Sequence, residues 1–531
     1  MEDIENIENE ILNLSDENKE VQEELKEEQD VKPKRTKKEK DKSVVNEPIV
    51  DPVLNYYSTV LDDVEKEYNI VSSFDDSYCL STGLLTLDLI MNGGIRDGWI
   101  TSLGYEGTGK SSLAVKMMGS LVKSGTTGYF VDAESALDID NACKIAGIND
   151  ITDYFGLRAY NGKGWEKPPK IKYCSENTLE TVFLCINKAL SKLPDKLYRQ
   201  ETKKWYYVFS REKESMEVMK SLNLKHVPAL YTQTGRYWCE APDGKFQIVF
   251  IIDSLPALVP DASLKDDGDL NGQMGILQKA YSKCVPLVRG LLRKKHSVIL
   301  AINQLKDAIG KMYGPAEFEP CGNAVKYASD VRNKLSNMSV PDFFEKGKLP
   351  SGSPTSKYGE EPSVEGDGVD MYEYKKITNI KNKRGVAYRQ GSLRFWTSSI
   401  DGTVRGIDYV YDALMYLEQT KQIELRKKGG RREIVGFDKF ANLPESCNVI
   451  QYQDFKQLLV GQQRGLDNLV KDFCDKYKVE GNIVNIIEKC FTQIESRDAF
   501  KMLLTTSTTS ESDDEGEAQT LDTENEFNDF S

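Results

Sequence analysis

The sequence predicts an α/β fold built on a mainly parallel, twisted sheet with helices on both faces. Between about residues 80 and 340, short runs of β-branched and aromatic residues alternate with helical patterns, as they do in doubly wound sheets. A glycine-rich turn that starts at Gly104 lies between an apolar run and a helical run over residues 112–122. The candidate buried strands, which are short and nearly continuous in apolar residues, are residues 99–103, 128–132, 246–253 and 297–303.

Composition divides the rest of the chain into further segments. Residues 1–50 are rich in Glu and Lys with almost no aromatic residues, so we expect a disordered, charged arm. Residues 51–75 carry apolar residues at helical spacing, which predicts an N-terminal oligomerisation helix that needs a packing partner. We therefore predict a core over residues 76–404, a small α+β C-terminal domain over 405–505 and an acidic, disordered tail over 506–531.

Two segments within the predicted core exceed the length of ordinary connections. The second and third candidate strands are separated by more residues than one crossover needs, and the aromatic-rich residues 195–245 predict an inserted lobe. Residues 340–370 are rich in Pro, Gly, Ser and acids, which predicts a flexible loop. Beyond the core, the Gly429-Gly430 turn between two short apolar runs predicts a hairpin in the C-terminal domain.

The formal net charge of -14 is unevenly distributed along the chain. Residues 1–30 hold thirteen acids and two lysines, and residues 511–531 hold nine acids and no base. Residues 31–42 hold seven bases and two acids, so the body over residues 43–510 carries a net charge of only +1. Acidic tails are compatible with a regulated polyanion binder, because a tethered anion competes with phosphate for a basic surface. Charge alone favours the simpler interpretation of a solubilising tail.

Several classes of protein lack support in the sequence. It contains no run of about 18 apolar residues, and its N-terminus is acidic where a secretory signal would be basic and then apolar. We therefore expect a soluble, cytoplasmic protein. Ten cysteines occur without a C-x-x-C pair, and the two histidines are His226 and His296, so the spacing needed for a zinc ribbon or a disulfide framework is not present.

A phosphate-binding motif follows the first candidate strand. Residues 104–111 match G-x-x-x-x-G-K-[ST] and lie between a strand and a helix, which is the context that the motif requires. The glycines let backbone N–H groups turn towards phosphates, Lys110 supplies charge to the β and γ oxygens, and the Ser111 hydroxyl can bind Mg²⁺. We therefore expect ATP and Mg²⁺ to bind at Gly104, Tyr105, Glu106, Gly107, Thr108, Gly109, Lys110, Ser111 and Ser112.

Two carboxylates follow other candidate strands. Asp253 closes the apolar run that begins at residue 246, where phosphate-binding proteins of this kind place the acid that helps to hold Mg²⁺; a surface acid at the end of a strand is the alternative. Glu134 follows the run over residues 128–132 and could orient the attacking water. It could equally be an acid at a helix N-terminus.

Longer stretches of the sequence resemble bacterial RecA in order and spacing. The stretch from Asn303-Gln304 through Tyr313-Gly314 to Arg332 is similar to the nucleotide-sensing Asn-Gln of that family and its mobile DNA-binding loop. Lys381-Asn382-Lys383 looks like the Lys-Asn-Lys element that reaches a neighbour's ATP. The resemblance extends over roughly residues 55–140, 246–340 and 372–440, including the motifs at 81–113, 129–138 and 252–260.

The resemblance implies a P-loop core, a filament-forming recombinase and roles for individual residues. Lys110 and Ser111 would bind phosphate and Mg²⁺, Glu134 would be the catalytic carboxylate and Asp253 would assist the metal. Gln304 would sense the γ-phosphate, and Lys381 and Lys383 would complete a neighbour's site. Asp138 would lie near the adenine. The implied DNA contacts are Met274, Gly275, Lys279, Lys306, Lys311 and Tyr313.

The sequence departs from the family at several positions. Asn141 occupies the position where the family commonly places an aromatic residue against the adenine. In the second DNA-binding loop, Asp307-Ala308 stand where more basic residues would be expected, and Cys321 replaces the first glycine of a pair. The insertion at 195–245 suggests a divergent member, with a phage-type recombinase as one interpretation.

The residues alone support DNA binding less strongly than ATP binding. Basic groups at 289–296 and 426–432 are either DNA contacts or solvated tips. We expect an ATPase that forms filaments on single-stranded DNA, pairs it with duplex and exchanges strands in recombination and repair. A ring-forming helicase or translocase, and a non-catalytic scaffold that binds ATP and DNA, are the alternatives.

Overall fold

The computed structural model describes residues 78–146, 151–159, 164–265, 273–307, 317–344, 372–396, 406–441, 443–464 and 467–479. The predicted arm at 1–50, the helix at 51–75, most of the loop at 340–370 and the tail at 506–531 lie outside the described residues. The domain boundaries therefore stay predictions. No described helix has both the length and the apolar character needed to cross a bilayer.

The first part of the chain alternates helices and strands. In chain order, its elements are α1 (Leu85–Ile90), β1 (Gly98–Gly104), α2 (Lys110–Lys123), β2 (Thr127–Asp132), α3 (Ile139–Ala146), α4 (Ile151–Phe155), β3 (Leu157–Arg158), β4 (Trp165–Lys167), β5 (Ile171–Cys174) and α5 (Leu179–Lys192). The inserted segment follows as β6 (Asp195–Arg199), β7 (Lys204–Phe209), α6 (Glu212–Leu222), α7 (Pro228–Thr234) and β8 (Tyr237–Glu240).

The remaining elements complete the core and build the C-terminal part. They are β9 (Ile248–Asp253), α8 (Asp261–Lys265), α9 (Gln273–Lys294), β10 (Val298–Gln304), β11 (Lys306–Asp307), β12 (Glu317–Phe318), α10 (Gly322–Ala328), β13 (Val331–Asn337), β14 (Tyr372–Asn382), β15 (Gln390–Trp396), β16 (Gly406–Ile407), α11 (Tyr409–Gln419), β17 (Glu424–Lys428), β18 (Arg431–Val435), α12 (Phe437–Ala441), β19 (Val449–Gln451), α13 (Tyr452–Arg464) and α14 (Asp467–Tyr477).

One nine-stranded sheet organises the core, in the order β16-β15-β14-β13-β1-β10-β9-β2-β5. Strands β13, β1, β10, β9, β2 and β5 pair in parallel, whereas β14 to β16 pair antiparallel. The α/β class with a mainly parallel sheet is thus confirmed, and the four candidate strands are β1, β2, β9 and β10. Because parallel strands end at the same edge, the loops after β1, β2, β9 and β10 meet there.

Alternate residues of the central strands enter two separate apolar layers. Ile100, Ile251 and Leu300 pack with α2 on one face, whereas Trp99, Ile252 and Ile299 pack with α5 and α9 on the other. Burial on both faces explains why these strands read as continuous apolar runs. Strand β5 and helix α5 also belong to this core, although the sequence interpretation had identified only an insertion in the longer interval.

The segment over residues 195–240 forms its own three-stranded antiparallel sheet, β6-β7-β8. Its small core contains Leu197, Tyr206, Val208, Leu230 and Trp238. The C-terminal part has a second three-stranded sheet, β17-β18-β19. The predicted hairpin is present, because Gly429 and Gly430 join β17 to β18 with positive φ angles of 54° and 81°, as tight hairpin turns require.

Candidate nucleotide-binding site

The phosphate-binding motif forms the turn between β1 and α2. Gly107 and Gly109 have φ angles of 71° and 85°, which glycine adopts without a steric cost. A Cβ at Gly109 would lie 2.9 Å from the Phe395 ring, and one at Gly104 would lie 2.5 Å from the Leu335 carbonyl oxygen. No side chain caps the start of α2, so its first backbone N–H groups suit an anion.

Lys110 is buried at the start of α2, with 7% of its surface exposed. Its Nζ donates to the Tyr105 carbonyl oxygen at 2.6 Å, and Thr108 Oγ1 donates to the same oxygen at 2.8 Å. Burial lowers the pKa of Lys110, while Asp253, Glu134 and Glu106 act in the opposite direction. A desolvated ammonium group beside carboxylates is suited to an added polyanion such as a triphosphate.

Asp253 ends β9 beside Asp132, its register partner at the end of β2. The Ser111 hydroxyl donates to Asp253. Burial raises the pKa of Asp253 to about 6, and the charges of Glu134 and Asp132 add to the shift. A cation here would relieve this repulsion, so Ser111 and Asp253 fit Mg²⁺, which in such sites needs only one or two carboxylates besides the phosphates. No group of three or more His, Cys, Asp or Glu residues forms a metal site in the described ranges.

Glu134 lies in the turn after β2 and faces solvent. Its Oε1 accepts from Ser254 Oγ at 2.5 Å and from Gln304 Nε2 at 3.0 Å. The alternative of a helix N-terminal acid is wrong, because the next helix starts only at Ile139. The structure thus brings Glu134 to Gln304 at the ends of two strands. Sequence reasoning missed Ser254, although a hydroxyl next to Asp253 was a usable signal; the peptide bond between them is cis.

Asp138 precedes α3 and is exposed. Its Oδ1 accepts from the Asn141 backbone N–H at 3.1 Å, so the carboxylate caps that helix. The predicted role near the adenine stays a prediction.

Lys381 and Lys383 turn to the same neighbouring segment, as their spacing predicts. Lys381 Nζ donates to the carbonyl oxygens of Lys326 and Tyr327 at 2.6 and 3.3 Å. Lys383 Nζ lies 3.4 Å from the Tyr327 carbonyl oxygen and 3.5 Å from Asp330. Burial lowers the pKa of Lys381, and the cations of Lys383 and Arg332 add to the effect.

These two lysines lie at the far end of β14 from their own phosphate loop. Lys375, near the start of β14, donates from Nζ to the Gly107 carbonyl oxygen at 2.9 Å. In the register with β13, Lys375 pairs with Asn337 and Lys381 pairs with Arg332. Lys375 and Lys381 are therefore separated along β14 by roughly 20 Å, at about 3.3 Å per residue. Lys381 therefore does not complete the phosphate site of its own chain. No sequence motif identified Lys375 as a contact of the phosphate loop.

The predicted DNA contacts are dispersed. Met274, Gly275 and Lys279 lie in the first turns of α9, where Gly275 and Lys279 are exposed. Lys306 is exposed on β11, and Lys311 and Tyr313 lie outside the described residues.

The basic group at 289–296 is largely used within the chain. Arg289 and Arg293 lie 2.5 and 3.6 Å from Asp330, and Lys295 lies 2.8 Å from Asp195. The second group contains exposed residues at the β17–β18 turn, including Lys428 and Arg431. Of the two groups, the hairpin is therefore the better candidate for contact with a polyanion.

Comparisons with known proteins agree with this arrangement. A profile of the RecA N-terminal domain family matches residues 243–342, the stretch that contains Asp253 and Gln304. Protein RecA of Rippkaea orientalis is 26% identical over 325 residues, covering 58% of this chain and 72% of the relative.

Other relatives have the same name and extend over a similar share of the chain. Protein RecA of Trichormus variabilis is 24% identical over 379 residues, covering 69% of this chain and 85% of the relative. Protein RecA of Aquifex aeolicus is 25% identical over 334 residues, covering 59% and 75%. In its fold, its nucleotide site and these matches, the chain is similar to the RecA family.

Proposed function

We propose that this protein is an ATP-dependent DNA recombinase that forms filaments on single-stranded DNA and catalyses homologous pairing and strand exchange. One observation carries the proposal: Lys110, Asp253, Glu134 and Gln304 meet at one edge of the sheet, while the lysines of the Lys-Asn-Lys element lie at the other end of β14. A site divided in this way is completed by stacking one chain on the next.

The residues at the sheet edge have complementary roles. Lys110 would exchange the Tyr105 carbonyl oxygen for phosphate oxygens, which offer it full negative charge. Mg²⁺, held by Ser111 and Asp253, would supply neutralisation of phosphate charge. The backbone N–H groups at the start of α2 would hold the phosphates in register with Lys110.

Glu134 is the candidate for positioning the attacking water. Its carboxylate is exposed and already accepts from Ser254 and Gln304. Gln304 is the last residue of β10, and Lys306 follows two residues later in β11. A movement of Gln304 in response to Glu134 or to a γ-phosphate would therefore shift the start of the predicted DNA-binding segment. This connection supports a DNA-dependent ATPase.

Lys381 and Lys383 would act on the ATP of a neighbouring subunit. Backbone carbonyl groups and the Asp330 carboxylate hold them on one side of the chain. Two ammonium groups so close together favour a polyanionic ligand. Hydrolysis would then depend on assembly.

Strand exchange is the direct test. Single-stranded DNA coated with the protein should exchange with a homologous duplex in the presence of ATP, and a Lys110→Ala protein should not support it. Electron microscopy with a nonhydrolysable ATP analogue should show helical filaments on the DNA. Closed rings with directional unwinding would instead favour the helicase, and DNA binding without filaments or hydrolysis would favour the scaffold.

A further inference from the structure

Tyr105 of the phosphate loop contacts strand β11. The Tyr105 hydroxyl donates to Asp307 Oδ1 at 2.7 Å. Asp307 belongs to β11, which pairs antiparallel with β12. The phosphate loop is therefore tied by a side chain to this two-stranded ribbon, which we define as residues 306–307 and 317–318.

The ribbon brings two acids together. Asp307 and Glu317 are direct cross-strand partners, and like charges in that position repel. Lys334 of β13 lies 2.5 Å from Glu317, so one acid has a cation and the other has the tyrosine hydroxyl. Tyr105 thus contributes to holding an arrangement that the two acids alone would oppose.

The hydroxyl remains a hydrogen-bond donor across the physiological pH range. The hydrogen bond to Asp307 raises the pKa of Tyr105 to about 12, and the charge of Glu317 adds to this shift. The phenol therefore stays protonated and donates to carboxylate oxygen.

The backbone of the same residue holds the phosphate-binding lysine. The Tyr105 carbonyl oxygen accepts from Lys110 Nζ at 2.6 Å and from Thr108 Oγ1 at 2.8 Å. A triphosphate that draws Lys110 to its own oxygens would remove one of these contacts. Tyr105 would then be free to shift, and its side chain is attached to the ribbon.

We propose that Tyr105 is a positioning residue that couples nucleotide binding at Lys110 to the position of the ribbon through its bond to Asp307. The inference rests on the nucleotide-binding part of the proposed function. It adds a second connection beside the one through Gln304, because Gln304 acts from the end of β10 whereas Tyr105 acts from the phosphate loop itself.

Amide hydrogen exchange tests this coupling without requiring DNA. The exchange of peptides containing residues 305–307 and 317–319 is measured with and without a nonhydrolysable ATP analogue and Mg²⁺, at concentrations that saturate each protein. In the wild type the nucleotide should change the exchange rate of the ribbon amides by roughly fivefold or more, the lower range of allosteric coupling. In Tyr105→Phe and in Asp307→Ala this response should fall by roughly half or more, with the remainder passing through Gln304.

Matched proteins make the result specific. Tyr388→Phe, at an exposed tyrosine of the β14–β15 connection, should respond like the wild type, and a Tyr105→Phe/Asp307→Ala protein should lose no more than either single variant. The coupling would be overturned if nucleotide-saturated Tyr105→Phe or Asp307→Ala protein showed the wild-type change in ribbon exchange. It would also be overturned if the loss of response in the double variant equalled the sum of the losses in the two single variants.

Other outcomes separate the coupling from the proposed function. A wild-type ribbon that ignores bound nucleotide would overturn the coupling alone. A responsive ribbon in a protein without strand exchange would support the coupling and contradict the recombinase. Absence of nucleotide binding would contradict both.

Discussion

At the scale of single residues, burial assigns different chemistry to the charged groups of the site. Burial lowers the pKa of Lys110 and raises the pKa of Asp253, so it favours the neutral form of each group. Both shifts fit the proposed ligands, a polyanion for Lys110 and a cation for Asp253, because a ligand of opposite charge would favour the charged form of each group. Glu134 stays exposed, which fits its proposed role of positioning the attacking water.

Replacing Lys110 by Ala should abolish ATP turnover while the protein stays folded. The side chain ends at the Tyr105 carbonyl oxygen in the ligand site and not in an apolar layer. We expect a loss of roughly 100-fold or more in turnover, comparable to the removal of one electrostatic stabiliser. Lys123→Ala, at the exposed end of the same helix, is the control. Near-wild-type turnover in folded Lys110→Ala protein would contradict the site.

Glu134→Gln should separate binding from hydrolysis. Glutamine keeps an oxygen for Ser254 but lacks the carboxylate charge. We expect turnover to fall by roughly 100-fold or more, the usual contribution of a positioned base, with nucleotide affinity measured by a fluorescent analogue retained. Glu201→Gln, at an exposed acid of the inserted segment, is the control. Equal losses of affinity and turnover would assign Glu134 to binding alone.

The residues that carry a motif could be identified from the sequence, and their supporting contacts could not. Lys110 and Asp253 lie at fixed places after strands, so spacing was informative. Lys375 reaches Gly107 from a strand 268 residues later in the chain, and nothing local to Lys375 indicates that contact. The bond from Tyr105 to Asp307 spans 202 residues and involves two positions outside the motif's required letters.

At the scale of elements, α1 begins with help from the C-terminal part of the chain. The Asp412 carboxylate of α11 accepts from the backbone N–H groups of Leu85 and Thr86 at 2.7 and 3.1 Å. Within α1, Asp88 accepts from Ser81 and Thr82. Both carboxylates are fully buried, and burial raises the pKa of Asp88 to about 7 and that of Asp412 to about 6.

These raised pKa values predict a loss of stability as pH rises. The folded protein holds the two protons more tightly than the unfolded chain, so the contribution is full below about pH 4 and is lost as pH rises through about 6 and 7. Each pKa unit by which the folded and unfolded values of a carboxyl group differ corresponds to about 1.4 kcal/mol of unfolding free energy.

Asp88→Asn isolates the contribution of one carboxyl. Denaturant unfolding of the wild type between pH 5 and pH 8 should show a decline in free energy, and Asp88→Asn should flatten it, because asparagine does not ionise. Asp140→Asn, at an exposed acid of α3, should leave the slope unchanged. Identical slopes in wild type and Asp88→Asn would mean that Asp88 does not ionise in this range.

Elements were predictable where their pattern was local. The four interior strands and the Gly429-Gly430 hairpin show apolar periodicity and turn residues. Strand β5 was missed because only Ile171 of its four residues is fully buried, so its pattern is weak. The antiparallel extension by β14 to β16 depends on register with β13, which is set by packing over long separations.

At the scale of the whole molecule, the phosphate loop and the paired lysines lie at opposite ends of β14. Contact between such different surfaces of identical chains is heterologous, and repeated heterologous contacts generate rings or helical filaments. The arrangement fits the proposed assembly, in which subunits stack in one direction and each ATP would lie between two of them.

Removing residues 511–531 should raise the affinity for duplex DNA. The deletion takes away nine acids and no base, so less tethered negative charge competes with phosphate for basic surface. The gain should be largest at low salt, where screening is weakest, the Debye length being about 10 Å at 0.1 M. A deletion protein whose affinity matches the full chain at low salt would make the tail a solubiliser. A chain with those acids changed to Asn and Gln controls for length.

The measurement that tests the central claim most directly is the ATPase activity of mixed subunits on single-stranded DNA. Lys381→Ala/Lys383→Ala protein should bind ATP through Lys110 but lose DNA-stimulated hydrolysis, whereas Lys213→Ala/Lys220→Ala, which removes two exposed lysines of α6, should keep it. Glu134→Gln protein should be inactive alone.

Mixed in equal amounts, the two inactive proteins should regain roughly a quarter of wild-type activity, since random stacking joins an intact phosphate site to intact lysines at about one interface in four. Normal hydrolysis by the double lysine variant alone, or no recovery in filaments shown to contain both proteins, would contradict an ATP site shared between subunits.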